Sequence, residues 1–445
     1  MNEINTDISA QQPEDPSVLE VRIEKLLNGG EGLARHEGQA IFVPLTAPGD
    51  LATVKVTKRS KNFSQAQLQE IVEPGQGRRE APCPHYEDCG GCNLQHLEVS
   101  TQRQAKADIV ADCFQRLGKM DVSEILDGPV AVGQELGYRN RIRMFASPIG
   151  PYGMMRRGSH DVVVLESCPL LPDVFNQEIL PWLRMLPPVE QLVIRLDDAG
   201  GWLLSAYGNP ARLKVFRKMV ATLEEGEAPA PGCLGLIFNN RPVWGRDYLV
   251  QSVAGHKFRV SAQSFFQANH AVTEEAIATV RSWITELDEQ GQLGSLLGDL
   301  FCGVGLFSLS LADLFKKVVA IDSDESACRD AKNNVKRDPA AKNKVTVRQG
   351  PLTQALTDPE LASAAEWAAG CVVVDPPRVG LGRDGVQSLL AIGPKHIVYM
   401  SCDPATLARD AAALVAGGYR VRKVQVLDMF PQMAHVETLV LLSCE

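Results

Sequence analysis

The C-terminal part of the chain carries the pattern that leaves the fewest folds open. After a helical stretch, VTEEAIATVRSWITEL, come the short apolar runs LLGDLF, KVVAID, KVTVRQ, CVVVDPP and HIVYMSC, most of them separated by helical stretches. Runs this short and apolar are buried on both faces, and the helices between them supply the cover. They predict a mostly parallel α/β sheet of the Rossmann-like kind. The last two strands, VRKVQVLDM and VETLVLLS, are joined by a short loop. The terminal strand should therefore run antiparallel.

The rest of the 445 residues reads as smaller units. Residues 1–17 are polar and predict a disordered tail. Residues 18–76 alternate β-rich runs with glycine turns and predict an OB-like closed barrel of about five strands. Residues 77–262 predict a mainly β central domain, with a helix over VSTQRQAKADIVADCFQRLGK and hairpins at SPIGPYG, RLDDAGGW and IFNNRPVW. Residues 263–445 form the α/β domain. No apolar run approaches the roughly 18 residues of a membrane helix. The acidic start, without Lys or Arg before Arg22, is unlike a secretory signal, so a cytoplasmic protein is expected.

Formal net charge is -9, which argues against a uniformly basic nucleic-acid binder. Locally the balance differs. Lys55, Lys58, Arg59, Lys61, Arg78 and Arg79 face only Glu70 and Glu73, and Arg139, Arg141, Arg143, Arg156 and Arg157 stand in a window without acids. A solvated face explains each patch as readily as a polyanionic partner does. The eleven cysteines do not read as a disulfide framework. Three of them, Cys83, Cys89 and Cys92, crowd into APCPHYEDCGGC.

The segment from Asp299 to Phe307, DLFCGVGLF, follows the first α/β strand and opens a helix. Its glycines let backbone approach a ligand. Ser308 stands where a dinucleotide fingerprint wants a third small residue, and Asp322 ends the second strand. A nucleoside ligand without pyrophosphate fits, and S-adenosylmethionine is such a ligand; a plain βα turn is the alternative. Two further strands end in Asp375-Pro-Pro-Arg378 and Ser401-Cys402-Asp403-Pro404. In an open sheet all these ends meet in one crevice.

Cys402 precedes a helix with Asp403 as N-cap and Pro404 at its first position, which should lower the thiol pKa, with Asp403 opposing somewhat. A buried inert cysteine is the bland reading. A methyl-transferring enzyme needs a thiolate when the acceptor is C5 of a pyrimidine, because addition at C6 makes C5 nucleophilic. A base must then remove the C5 proton, and Glu437 is the candidate, although a surface acid fits its spacing equally well.

The motifs DLFCGVGLF, VVVDPPRVGL, YMSCDPATLARD and DMFPQMAHVETLVLL resemble the RNA uracil-5-methyltransferase family, and the resemblance runs from Val18 to Glu445. It implies that Cys402 is the covalent nucleophile and Glu437 the base. It also implies that Gln267, Phe301, Asp322 and Asp375 line the S-adenosylmethionine and uracil site, with Phe265 stacking on the base. Two positions depart from the family. Leu306 stands where ribosomal members often have Asn, leaving its backbone for the cofactor, and Pro351 replaces a polar contact.

Cys83, Cys89, Cys92 and Cys168 are similar to the [4Fe-4S] ligand set of ribosomal members. Taken without the resemblance, four cysteines fit structural zinc as well. The barrel resembles the TRAM RNA-binding module. Cluster and TRAM together mark the branch acting on uracil 1939 of 23S rRNA, so 23S rRNA is the expected partner of a monomer. A tRNA or different 23S uridine is an alternative, as is a non-catalytic RNA-binding assembly factor. The latter would need no Cys402, Glu437, Gln267 and Asp375 together. A radical enzyme would leave one iron open, whereas a fourth cysteine is available here.

Overall fold

The computed structural model describes residues 17–444 apart from 131, 149 and 225. The polar tail before Ser17 and the tip residue Ile149 of the SPIGPYG hairpin lie outside the described residues. The chain divides into two compact units, one reaching to Glu80 with His96–Glu98 added, the other holding Ala81–Gln95 and everything from Val99 onward.

The first unit is the closed five-stranded barrel. Strands Val18–Leu26, Gly32–His36, Gln39–Val43, Leu51–Arg59 and Phe63–Glu73 close with the third strand parallel to the fifth. Alternating side chains, among them Val21, Ile23, Ile41, Val43 and Val54, fill the interior. Asp50 is fully buried there. It accepts from Ala47 N–H (2.6 Å) and Gly75 N–H (2.8 Å), and Arg78 grips it bidentately at 2.8 and 2.6 Å. Arg78 is thus a structural residue of the barrel and no free phosphate ligand.

The second unit contains a seven-stranded sheet, a two-stranded hairpin and an eight-stranded sheet. In the first sheet Arg141–Ser147 pairs antiparallel with Gly150–Met155 and with Gln191–Leu196; only Trp202–Tyr207 and Cys233–Phe238 run parallel. Its core centres on Trp202, Phe175, Phe216 and Phe238.

The eight-stranded sheet runs in the order Val345–Gln349, Lys317–Asp322, Leu296–Leu300, Cys371–Val374, His396–Ser401, Glu437–Cys444, Tyr419–Leu427, Leu126–Val130. The first five are parallel, and Glu437–Cys444 is antiparallel to both neighbours. The chain builds outward from Leu296–Leu300 in one direction and then resumes on its other side at Cys371–Val374. That reversal opens a crevice at the carboxyl ends of the strands. Leu126–Val130 joins the far edge in parallel with Tyr419–Leu427. Its sequence, LDGPV, has no strand periodicity, so partner choice alone makes it a strand. No helix among the described residues is long and apolar enough to cross a membrane.

Burial alone would push the Asp50 carboxyl up, but Arg78 and the two N–H donors outweigh it and hold the pKa below the usual range. A carboxylate held low adds stability above its unfolded pKa of about 4, and that stability fades as pH falls through the folded value. Arg78→Ala should destabilise the barrel at pH 7 by about 3 kcal/mol or more, since it leaves a buried charge unpaired. Melting curves should show the difference from wild type shrinking below about pH 4; a gap that persists unchanged in acid would show that the lost packing matters and the ion pair does not.

Candidate active site

The loop after Leu296–Leu300 is shaped by backbone conformations that few residues tolerate. Gly303 and Gly305 have φ of 55° and 93°, and Phe301 shares the left-handed region at 62°. Asp299, buried beneath the loop, accepts from the backbone N–H of Ser308 (2.8 Å) and from its hydroxyl. Ser308 therefore has a structural reason to differ from a third glycine. Asp322 reaches across from the next strand: its carboxylate accepts from Gly303 N–H and Asp324 N–H, both at 2.8 Å. The glycine loop and the end of the second strand are thereby locked together.

These groups line one cavity of about 620 Å³ that also takes in Gln267, Asp375, Arg378, Cys402, His435 and Glu437. The size suits a small-molecule ligand. Phe301 and Leu306 line it too. Phe265 lines the cavity while remaining 58% exposed. Pro351 is exposed and is not among the lining residues.

Cys402 follows strand His396–Ser401 directly. Asp403 caps the helix Pro404–Ala416, its carboxylate accepting from Ala405 N–H (2.9 Å) and Thr406 N–H (3.0 Å). The expected lowering of the thiol pKa is not what results. Burial, then the neighbouring Glu437 and Asp375, push Cys402 up to about 11, against a smaller opposing pull from Arg378. The helix end is weakened as a charge source because Asp403 already takes its first N–H groups.

Glu437 begins the last strand, 3% exposed, and its Oε2 has no hydrogen-bond partner. Burial first, and Asp375 second, raise its pKa well above the ordinary value. Asp375 is raised to about 7 by burial and by Asp299, with the Gln267 side chain giving partial relief. Asp299 is raised to about 6, again by burial. Five acids line the cavity, and Arg378 is the one Lys or Arg among the described lining residues. Sequence reasoning assigned no role to Arg378 or His435. The His435 ring nitrogen Nε2 lies 3.3 Å from the Arg378 guanidinium, and desolvation with that cation beside it pushes the ring down to about 4. The H-x-E spacing of His435 and Glu437 was the available signal.

Cys83, Cys89, Cys92 and Cys168 line a second cavity, of about 110 Å³. The loop bearing three of them is tied down by Arg157, which donates to the carbonyls of Tyr86 (3.1 Å) and Cys92 (2.8 Å). Cys168 is held by Asn176, which accepts from its N–H at 2.7 Å and donates to its carbonyl at 3.2 Å. Burial raises all four thiols, Cys92 to about 12 and Cys168 to about 11. Among the described residues no three His, Cys, Asp or Glu side chains are grouped as a single metal ion requires. The four thiols share a cavity but do not close on one point.

The sequence pattern of a family described as tRNA (Uracil-5-)-methyltransferase matches residues 238–445, and that of the TRAM domain matches residues 16–68. A protein of Aquifex aeolicus named "uncharacterized RNA methyltransferase" is 32% identical over 440 residues, covering 96% of this chain and 98% of its own. A namesake in Thermosynechococcus vestitus is 31% identical over 464 residues, with 96% and 98% covered. Among solved structures, the tRNA (uracil-54, C5)-methyltransferase of Pyrococcus abyssi, in complex with S-adenosyl-L-homocysteine, shares the fold with a TM-score of 0.68. It is 23% identical and covers 95% of this chain and 99% of its own. With relatives of this identity along nearly its whole length, the chain belongs to the RNA uracil-5-methyltransferase family.

Proposed function

We propose that the chain transfers a methyl group from S-adenosylmethionine to C5 of a uridine in RNA, with Cys402 as covalent nucleophile. The observation that carries this reading is one cavity faced by a thiol, Cys402, and an unpartnered buried carboxyl, Glu437, beside the glycine loop. A binder would need neither.

The Cys402 thiolate adds to C6, and the electron pair moves to C5. C5 attacks the sulfonium methyl, the methyl–sulfur bond breaks with its electron pair to release S-adenosylhomocysteine, and C5 then carries both methyl and proton. Glu437 removes that proton, the pair returns to the ring, and the C6–S bond breaks to free Cys402 and 5-methyluridine. In the free protein burial and Asp375 disfavour the charge of Glu437. Thiolate and carboxylate also disfavour each other. Once the sulfur is bonded to C6 its charge is gone, and Glu437 gives its proton to solvent more easily before the step that needs a base. Gln267, Phe301, Leu306, Asp322 and Asp375 hold the donor and the uracil ring, and Phe265, exposed at the cavity, stacks on the base.

Cys83, Cys89, Cys92 and Cys168 would hold a [4Fe-4S] cluster, whose binding contributes folding energy to the loop that carries them. One thiolate per iron asks for a wider cage than a single zinc ion does, and the shared cavity is consistent with that. The cysteine set and the TRAM barrel favour 23S rRNA as substrate. A tRNA uridine is the second reading, favoured by the name of the Pyrococcus abyssi protein; mass mapping of 5-methyluridine in both RNAs, with and without the protein, separates the two. Iron and sulfide analysis after anaerobic purification should give about four of each per chain, whereas one zinc and no iron would end the cluster reading.

Cys402→Ala should abolish turnover while keeping donor affinity. With 5-fluorouridine RNA, which has no C5 proton, wild-type protein should be trapped covalently and Cys402→Ala should not. Because the thiol is held near 11, the trapping rate should rise with pH, about tenfold per unit from pH 7 to 9. Glu437→Gln should methylate ordinary RNA and then stall as an adduct. Trapping by Cys402→Ala, or free product release by Glu437→Gln, would assign the roles elsewhere.

The RNA-facing charge is narrower than the basic windows suggested. Arg156 pairs with Asp88, and Arg157 and Arg139 donate to backbone carbonyls. Lys58, Arg59 and Lys61 remain exposed on the barrel. Replacing these three by Gln should flatten the log-affinity versus log-salt slope by up to about 0.7 per contact on single-stranded RNA. Titrations at several salt concentrations check it, and an unchanged slope would remove the barrel from the RNA interface.

A further inference from the structure

Between strands Tyr419–Leu427 and Glu437–Cys444 the chain forms a strap, residues 428–436, that leads into Glu437 and brings Phe430 and His435 to the cavity. The strap has no helix or strand of its own, and its polar groups are taken up by the cysteine-bearing segment and by the helix Val99–Cys113, whose Gln102 bonds Gln432 and whose Lys106 bonds Asp428 and Phe430 O. The N–H groups of Asn93 and Leu94 donate to Gln432 O (3.3 and 3.1 Å), and the Asn93 side-chain carbonyl accepts from Ala434 N–H at 2.7 Å. Tyr138 OH donates to Pro431 O at 3.1 Å. Gln432 sits at φ 72°, a conformation a non-glycine residue keeps only when its surroundings impose it. Asn93 directly follows Cys92, whose thiol lines the second cavity and whose carbonyl is held by Arg157.

We infer that Asn93 is a positioning residue that seats the 428–436 strap and links the four-cysteine cavity to the methyl-acceptor side of the active site. The link is short: a change in where Cys92 is held moves the next residue, and that residue bonds Gln432 and Ala434, five and three positions before Glu437. The inference rests on the reading of Glu437 as base and of the cysteines as cluster ligands. It adds that filling the cysteine site orders the strap.

The test uses the full-length, iron-loaded protein. Asn93→Ala should keep its iron and its S-adenosylmethionine affinity. Amide hydrogen exchange in residues 430–434 should quicken about tenfold, the scale of one lost hydrogen bond. Breakdown of the methylated RNA adduct should slow, so that adduct accumulates as in Glu437→Gln but less completely. Asn93→Asp keeps the acceptor oxygen and should restore both. Wild-type protein stripped of iron should show the same faster exchange in the strap. Should Asn93→Ala not fold, Tyr138→Phe removes only the bond to Pro431 and should loosen the same amides. Wild-type exchange in both variants, or full strap protection after iron removal, would overturn the inference. If the strap loosens as expected but Glu437→Gln accumulates no adduct, the role given to Glu437 fails and the coupling stands.

Discussion

Ser401 lies opposite Thr438 in the antiparallel pair joining His396–Ser401 to Glu437–Cys444, and the site depends on that register. Cys402 is the next residue on one strand and Glu437 the previous residue on the other, so thiol and carboxyl arrive side by side at the sheet's carboxyl edge. A slip of one residue would turn Glu437 to the opposite face and bring Thr438 in its place. At the other end of the same pair His396 and Ser443 are also opposite, and their side chains share a buried hydrogen bond of 2.8 Å. That bond can form in one register only.

The cavity built on this pairing gathers carboxyls where water is scarce. Charge there is costly, and burial raises the pKa of Asp375 to about 7 and that of Glu437 well above the ordinary carboxyl value. Arg378, with the His435 ring nitrogen 3.3 Å from its guanidinium, is the one Lys or Arg among the described lining residues beside five acids. A core selected for stability alone would not hold these groups.

The basic residues show the opposite economy. Of the two acid-poor windows, much of the charge is used inside the fold: Arg78 on Asp50, Arg157 on the cysteine loop, Arg139 on Arg141 O. Arginine suits such work because its planar fork satisfies several acceptors at once. A similar internal use is made of Lys106, fully buried, which donates to Asp428 (2.5 Å) and Phe430 O (2.9 Å) at the start of the strap.

What could be read from the sequence is what neighbouring residues decide. The alternation of apolar runs and helices dictated the parallel sheet, the short final loop its antiparallel strand, Gly303 and Gly305 the ligand-facing turn, and Asp403-Pro404 the helix start after Cys402. Each is settled by local sterics and hydrogen bonding within a few residues. The tertiary structure decided the rest. Arg78 is claimed by an acid 28 positions away, and Gln102 and Gln432 bond across 330. Leu126–Val130 becomes a strand only because the edge of the sheet is there to receive it. The Cys402 thiol is raised because of burial and the carboxyls of Glu437 and Asp375, brought beside it from other parts of the sheet. Burial and through-space charge belong to the folded arrangement, and no stretch of chain contains them by itself.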